Sequence, residues 1–215
     1  EAMASSRFKG QQYGIPIQTT PELLVCRQDV FQEMGLKYPE TTQELLEAAY
    51  AIQRSSIRMK AIAWNAARGT PLGHSFLFSM GSFGQPIIDL RKVENGFDAE
   101  WPKGEELRPM FVTDAARDVC DFFAELISLS PQNILNMSWF ERARAYANGE
   151  VGMAFTATLL SPMFEFDRMS PAFGKSKYLP LPAGTAGRQI APVGGYALAI
   201  PKNVPSQRVA HIWSA

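Results

Sequence analysis

The chain has 215 residues, 46% of them hydrophobic, and its 21 basic and 21 acidic side chains leave no net charge. That is enough for one substantial core, or one and a half. The balance argues against the basic face that nucleic-acid phosphates require and against a polybasic membrane patch, and the sequence holds no run of about 18 apolar residues of the kind that spans a bilayer.

Taken in order, strand signals alternate with helix signals, which points to an α/β fold. Ile15 to Ile17 reads as a short apolar strand running into the polar cluster Gln18, Thr19, Thr20 and Glu22. A second apolar strand, Leu23 to Cys26, follows and ends on Arg27 and Asp29. Two strands joined by small hydrogen-bonding side chains suit a crossover where a polar small molecule lies between two structural units. Asp29 to Met34 is a short helix ended by Gly35, and Thr41 with Glu44 forms a capping box for a helix carrying Leu45, Leu46, Ala49 and Ile52. Ala61 to Trp64 is a strand, and Pro71 to Met80 is a helix opened by the Gly69-Thr70-Pro71 turn. Asp89 to Pro109 is charged and rich in turn formers, a surface excursion with a small hairpin around Asn95-Gly96.

Thr113 caps a long helix through Leu129, and Ser138 with Glu141 caps a helix ended by Gly149. Val151 to Phe155 is a strand, Leu159 to Phe166 a helix, Met169 to Lys177 a loop, and Tyr178 to Leu181 a strand. Ala183 to Gln189 reads as a mobile glycine loop, and Gly194-Gly195-Tyr196 leads into a last strand, Ala197 to Ile200. Cys120 shares the helical apolar spacing of Ala116, Val119, Phe123, Leu126 and Ile127, so a buried free thiol is expected there. Cys26 alternates with Leu24 in its strand and packs likewise; a disulfide between the two is unsupported.

Several stretches resemble the extracellular sugar-binding proteins of bacterial ABC importers, the maltose-binding-protein-like group. Asp29 to Leu36 is similar to that family's D-L-F-x-x-x-G-L, and Tyr38 to Leu45 to its P-x-T-W-x-E-L, with Thr42 in place of the usual tryptophan. Tyr146, Gly149, Gly152 and Met153 follow its F-x-x-G-x-x-A-M, and the two crossover segments stand in the family's order. The resemblance implies a periplasmic-binding-protein-like α/β fold, a ligand held between two lobes, and closure about a hinge of Gln18 to Leu24 and Val193 to Leu198. It implies that residues 1–20 belong to the first lobe and its crossover, 21–190 to the second α/β lobe, and 191–215 to the return strand and the start of a first-lobe helix. The segment from Pro205 to Ala215 lacks a glycine cap, and the chain is read as the middle of a longer protein.

A sugar presents hydroxyls at its edges and C–H groups on its faces, so its site needs short polar side chains and an aromatic plate. Gln18, Thr19, Thr20 and Glu22 supply the first, against ordinary turn chemistry for the threonines. Tyr196 follows Gly194 and Gly195, which allow close backbone approach, at a place where the family often has tryptophan; a core aromatic is the alternative. Trp64, Asn65, Arg68 and His74 cluster where a strand ends and a helix begins, the ligand-binding end of an open α/β sheet. Partial core burial competes for Trp64, surface solvation for Arg68 and a structural hydrogen bond for His74. Thr156 and Thr158 lead into the next helix, whose free N–H groups suit ligand oxygens, or they act only as caps.

The family implies an extracellular or periplasmic solute-binding component, with or without a lipoprotein anchor. It would be monomeric at full length, would need no cofactor, metal or nucleic acid, and would deliver a sugar, polyol or short oligosaccharide to membrane permease subunits. Two other readings stand. One is a glycoside hydrolase built on Glu22 with Glu165 or Asp167; the other is a ligand-free sensor module. No nucleophile elbow or phosphate loop is present, and His74 and His211 are the only histidines.

Overall fold

The computed structural model describes residues 3, 6–94, 96–101, 107–205 and 208–209. Its centre is a mixed sheet of five strands. β3 (Ile15–Arg27) is one continuous strand of 13 residues, where the sequence predicts two. The polar segment Gln18 to Glu22 does not break it, because backbone pairing on a neighbouring strand continues through those residues.

That strand has two halves with different neighbours. Its C-terminal half lies between β7 (Val151–Ala157) and β8 (Ser176–Leu179), both antiparallel to it, with Val25 opposite Ala154 and Tyr178. There Leu24, Val25 and Cys26 are fully buried. Its N-terminal half pairs with β9 (Val193–Leu198), placing Thr20 opposite Gly194, Thr19 opposite Gly195 and Gln18 opposite Tyr196. A register shift lies between Pro16 and Gln18, where proline has no N–H for the ladder. β4 (Lys60–Ala63) runs parallel to β7 and completes the sheet. Two short hairpins lie apart from it, β1 (Arg7–Phe8) with β2 (Gln11–Gln12), and β5 (Lys92–Val93) with β6 (Gly96–Phe97). The second falls at the expected Asn95-Gly96 turn, although Asn95 itself lies outside the described residues.

The helices form as their caps predict. α1 (Gln28–Glu33) is followed by Gly35. α2 (Thr42–Arg54) starts on the Thr41–Glu44 capping box and buries Leu45, Leu46, Ala49 and Ile52. α3 (Thr70–Ser82) has Pro71 in its first turn. α4 (Asp114–Leu129) begins where Thr113 accepts the N–H of Ala116, and buries Ala116, Val119, Phe122, Phe123 and Leu126. Cys120 lies off that face and is exposed, correcting the buried thiol expected for it; Cys26 is buried, and both thiols are free. α5 (Trp139–Ala147) opens with the Ser138 N–H donating to the Glu141 carboxylate at 3.1 Å, and ends before Gly149, whose φ of 72° suits only glycine comfortably. The helix expected from Leu159 to Phe166 is instead a 3-10 turn, Thr158–Leu160, and then α6 (Pro162–Glu165), because Pro162 restarts the chain direction.

α2 and α4 pack on β4 and on each other, with α3 against α4; α5 packs on β7 and β4, with α6 against α5. The loop after β8 is not free. The Ala183 carbonyl accepts the Thr42 N–H at 2.9 Å, the Ala183 N–H donates to the Glu40 carbonyl at 2.8 Å, the Gly184 N–H donates to the Ser82 carbonyl at 3.0 Å, and the Thr185 hydroxyl donates to Asp118 at 2.7 Å. Glycine is required there: a Cβ on Gly187 would lie 1.6 Å from the Ser82 carbonyl oxygen.

Candidate functional site

A cleft of about 500 Å³ opens where the two halves of β3 meet. Its walls come from five places. β3 supplies Thr20 and Glu22, β9 supplies Gly194, Gly195 and Tyr196, α3 supplies His74 and Phe78, and the start of α5 supplies Trp139 and Phe140. Ala157, Leu159 and Leu160, at the end of β7 and in the turn after it, close the remaining side.

Each wall has a local cause. Trp139 and Phe140 stand in the first turn after the Ser138 cap, so the cap aims them at the mouth rather than into the buried face of α5, which is Arg142, Ala143, Ala145, Tyr146 and Ala147. Phe140 remains 58% exposed although aromatic, and Tyr196 61%, so both offer ring faces. His74 and Phe78 are one helical turn apart, with ring centroids at 4.1 Å, and the Trp139 ring lies 5.9 Å from His74. Burial holds the His74 imidazole below its ordinary pKa; nearby Glu22 opposes this and Arg142 reinforces it. On β9, the carbonyl of Gly194 accepts the Thr20 hydroxyl at 3.2 Å.

Glu22 is the deepest polar group of the cleft. Both of its oxygens are held by Arg142 of α5, Oε2 accepting Nη2 at 3.1 Å and Oε1 accepting Nη1. Their side chains are 5% and 1% exposed, a buried bidentate pair across the site floor.

The sequence-predicted residues divide accordingly. Thr20, Glu22, His74, Gly194, Gly195 and Tyr196 meet at the cleft. Gln18 and Thr19 stand on the same strand further from the core, paired with Tyr196 and Gly195. Thr158 is half-buried at the head of the 3-10 turn, where its carbonyl accepts Ser161. Arg68 is exposed on the turn before α3.

Trp64 is a correction. It is 1% exposed, its ring lies 4.7 Å from Phe123 and its indole N–H donates to Ser130 at 3.1 Å, so it is a core anchor with no free face for a sugar. Asn65 and Thr156, expected as ligand contacts, are buried and are not among the residues lining this cleft. They follow Ala63 and Ala154, which pair across β4 and β7, so both lie at the carboxyl ends of adjacent parallel strands. The Asn65 amide and the Thr156 hydroxyl find no partner among the described residues, nor does the Nε of Arg142. The carboxylates proposed as partners for Glu22 in hydrolysis are engaged elsewhere: Glu165 accepts the Tyr178 hydroxyl at 2.8 Å, and Asp167 accepts the Met169 N–H at 2.9 Å. His211 lies outside the described residues, and these contain no cluster of metal-ligating side chains.

Sequence reasoning missed Phe78, Trp139, Phe140 and Arg142. Trp139 and Phe140 were detectable as two consecutive aromatics directly after a capping residue, outside the apolar stripe of their helix. Arg142 carried no such signal, because its partner lies 120 positions away.

The model of the bacterial extracellular solute-binding proteins matches residues 2–211. The chain belongs to that family. No curated protein matches it. Among solved structures, maltose-bound MalE3 of T. maritima is 25% identical over 98% of this chain and 50% of its own, with a TM-score of 0.78. A solute-binding protein of Agrobacterium radiobacter K84 in complex with ribitol is 19% identical over 99% of this chain and 50% of its own, with a TM-score of 0.82. Another, from Agrobacterium vitis S4 with bound D-mannitol, is 20% identical over 98% and 48%, with a TM-score of 0.77. The fold is therefore the periplasmic-binding-protein-like α/β fold, and the chain spans about half the length of the solved structures it matches.

Proposed function

We propose that this solute-binding chain forms one wall of an interlobe cleft that captures a sugar, polyol or short oligosaccharide outside the cell for the permease of an ABC importer. The observation that carries this reading is the composition of the cleft. Tyr196, Trp139, Phe140 and Phe78 offer apolar ring faces, while Thr20, His74 and Glu22 offer hydrogen-bonding groups. The ligands of the structural neighbours, maltose, ribitol and D-mannitol, share that amphipathic character. The long strand β3 and its partner β9 act as the hinge, with residues 21–190 forming one lobe and the two end segments belonging largely to the other. The exposed apolar side chains of Ile15, Ile17, Val193 and Leu198 on these strands support that division. The protein performs no catalysis, works as a monomer at full length, and acts in the periplasm or at the cell surface, free or lipid-anchored.

Thermal unfolding of the full-length protein with maltose, ribitol, D-mannitol and D-tagatose tests the reading. Binding of any one raises the midpoint through mass action, by about 2.7 kcal/mol of stability at a hundredfold excess over Kd. No shift with any carbohydrate, or turnover of a glycoside by the protein alone, would reject it.

A further inference from the structure

The cleft is unbalanced in charge. Among the described residues that line it stands one carboxylate, Glu22, and no lysine or arginine. His74, the other titratable group there, is held toward its neutral form by burial. The charged groups acting on it are Glu22 from β3 and Arg142 from α5. Arg142 offsets the glutamate only in part: at His74 the charge of Glu22 outweighs that of Arg142. Arg142 is 1% exposed and is not among the lining residues of the cleft, with Nη1 and Nη2 both committed to the glutamate oxygens. Of the two, Glu22 is the member that lines the cleft.

We propose that Glu22, positioned by Arg142, is a specificity-determining residue that makes this half of the cleft accept uncharged polyhydroxy ligands and reject the corresponding sugar acids. The inference rests on the sugar-binding reading above and adds a charge filter to it. A carboxylate accepts hydrogen bonds from hydroxyl groups but donates none, so it suits an alditol or an aldose. A ligand carboxylate at the same place brings two like charges together in a partly desolvated site, with no basic side chain among the described lining residues to receive it and with the Arg142 guanidinium already committed to Glu22. Rejecting a wrong ligand by an unpaired charge is a more effective device than one more favourable contact with the right ligand.

The test is calorimetric titration of the full-length protein with matched pairs: D-glucitol and D-gluconate, D-galactose and D-galacturonate, maltose and maltobionate. In every pair that binds, the neutral member should bind at least about tenfold more tightly. The double variant E22Q/R142Q removes both charges and retains amide hydrogen bonding, so no charge is left buried alone. In that variant the ratio should fall toward one, mainly through gained affinity for the acids, with the circular dichroism spectrum unchanged. A merely structural role for the pair would weaken both members equally and leave the ratio intact. Acid binding equal to or tighter than neutral binding in the wild type overturns the charge filter while leaving sugar binding established, and this arm decides even if the variant does not fold. An unchanged ratio in a folded variant also overturns it. Failure of all six compounds to bind overturns the filter together with the reading it rests on.

Discussion

Replacing Arg142 with alanine should destabilise the protein far more than an ordinary surface substitution, and the size of the effect follows from burial. The guanidinium and the Glu22 carboxylate are 1% and 5% exposed, with an N–O separation of 3.1 Å at one of their two contacts. At an effective dielectric constant of about 20 that separation gives roughly 5 kcal/mol of attraction. Removing each ion from water costs several kcal/mol, so the intact pair contributes little net stability. Breaking it is different. Arg142→Ala leaves Glu22 desolvated with no counter-charge, and the expected loss is about 3–5 kcal/mol. Adding Glu22→Gln should restore much of that loss, since a neutral amide is far easier to bury than an isolated carboxylate. Urea denaturation followed by circular dichroism measures both variants against the wild type. A loss under about 1 kcal/mol for Arg142→Ala, or a double variant no more stable than the single one, would show that water reaches Glu22 and that the buried-pair argument fails.

Three further outcomes are expected. Tyr196→Ala in the full-length protein should weaken ligand binding by roughly 1–3 kcal/mol, the range for losing an aromatic anchor; calorimetry showing wild-type affinity in a folded variant would remove Tyr196 from the site. Gly187→Ala should cost about 1–3 kcal/mol of stability, because its Cβ would meet the Ser82 carbonyl at 1.6 Å and the loop must move off α3; a thermal midpoint equal to that of the wild type would show that the loop is not held. For His74, whose folded pKa lies below the ordinary 6.5, the unfolded chain binds the extra proton, so stability should fall as the pH drops from 6.5 toward the folded value. Denaturation midpoints between about pH 5 and 7 should be flatter in His74→Phe, and an identical slope in both proteins would mean that His74 is solvated in the folded state.

Much of the scaffold was legible in the sequence because its signals are local. The Thr41–Glu44 box, the Thr113 cap and Gly149 each act within one helical turn, and the helices begin or end at them. The burial of Leu45, Ala49 and Ile52 followed from periodicity alone. The crossover glycines and Tyr196 were also legible, since glycine, aromatic and apolar residues stand next to one another in the chain. Tertiary structure decided the rest. Trp64 and Tyr196 are both aromatics beside a strand, yet Trp64 meets Phe123 and Ser130 in the core while Tyr196 remains at the mouth of the cleft. Which aromatic stays exposed depends on which helix covers it, and no local pattern encodes that. The same holds for Glu22. The sequence marked it as part of a polar link between two strands, whereas it stands within one continuous strand, and its ion pair with Arg142, 120 positions away, exists only because α5 packs against the sheet. Local chemistry thus determined the strands, caps and turns, whereas long-range packing determined which polar groups are buried, which are paired and which line the cleft, because burial and charge compensation are properties of neighbours in space.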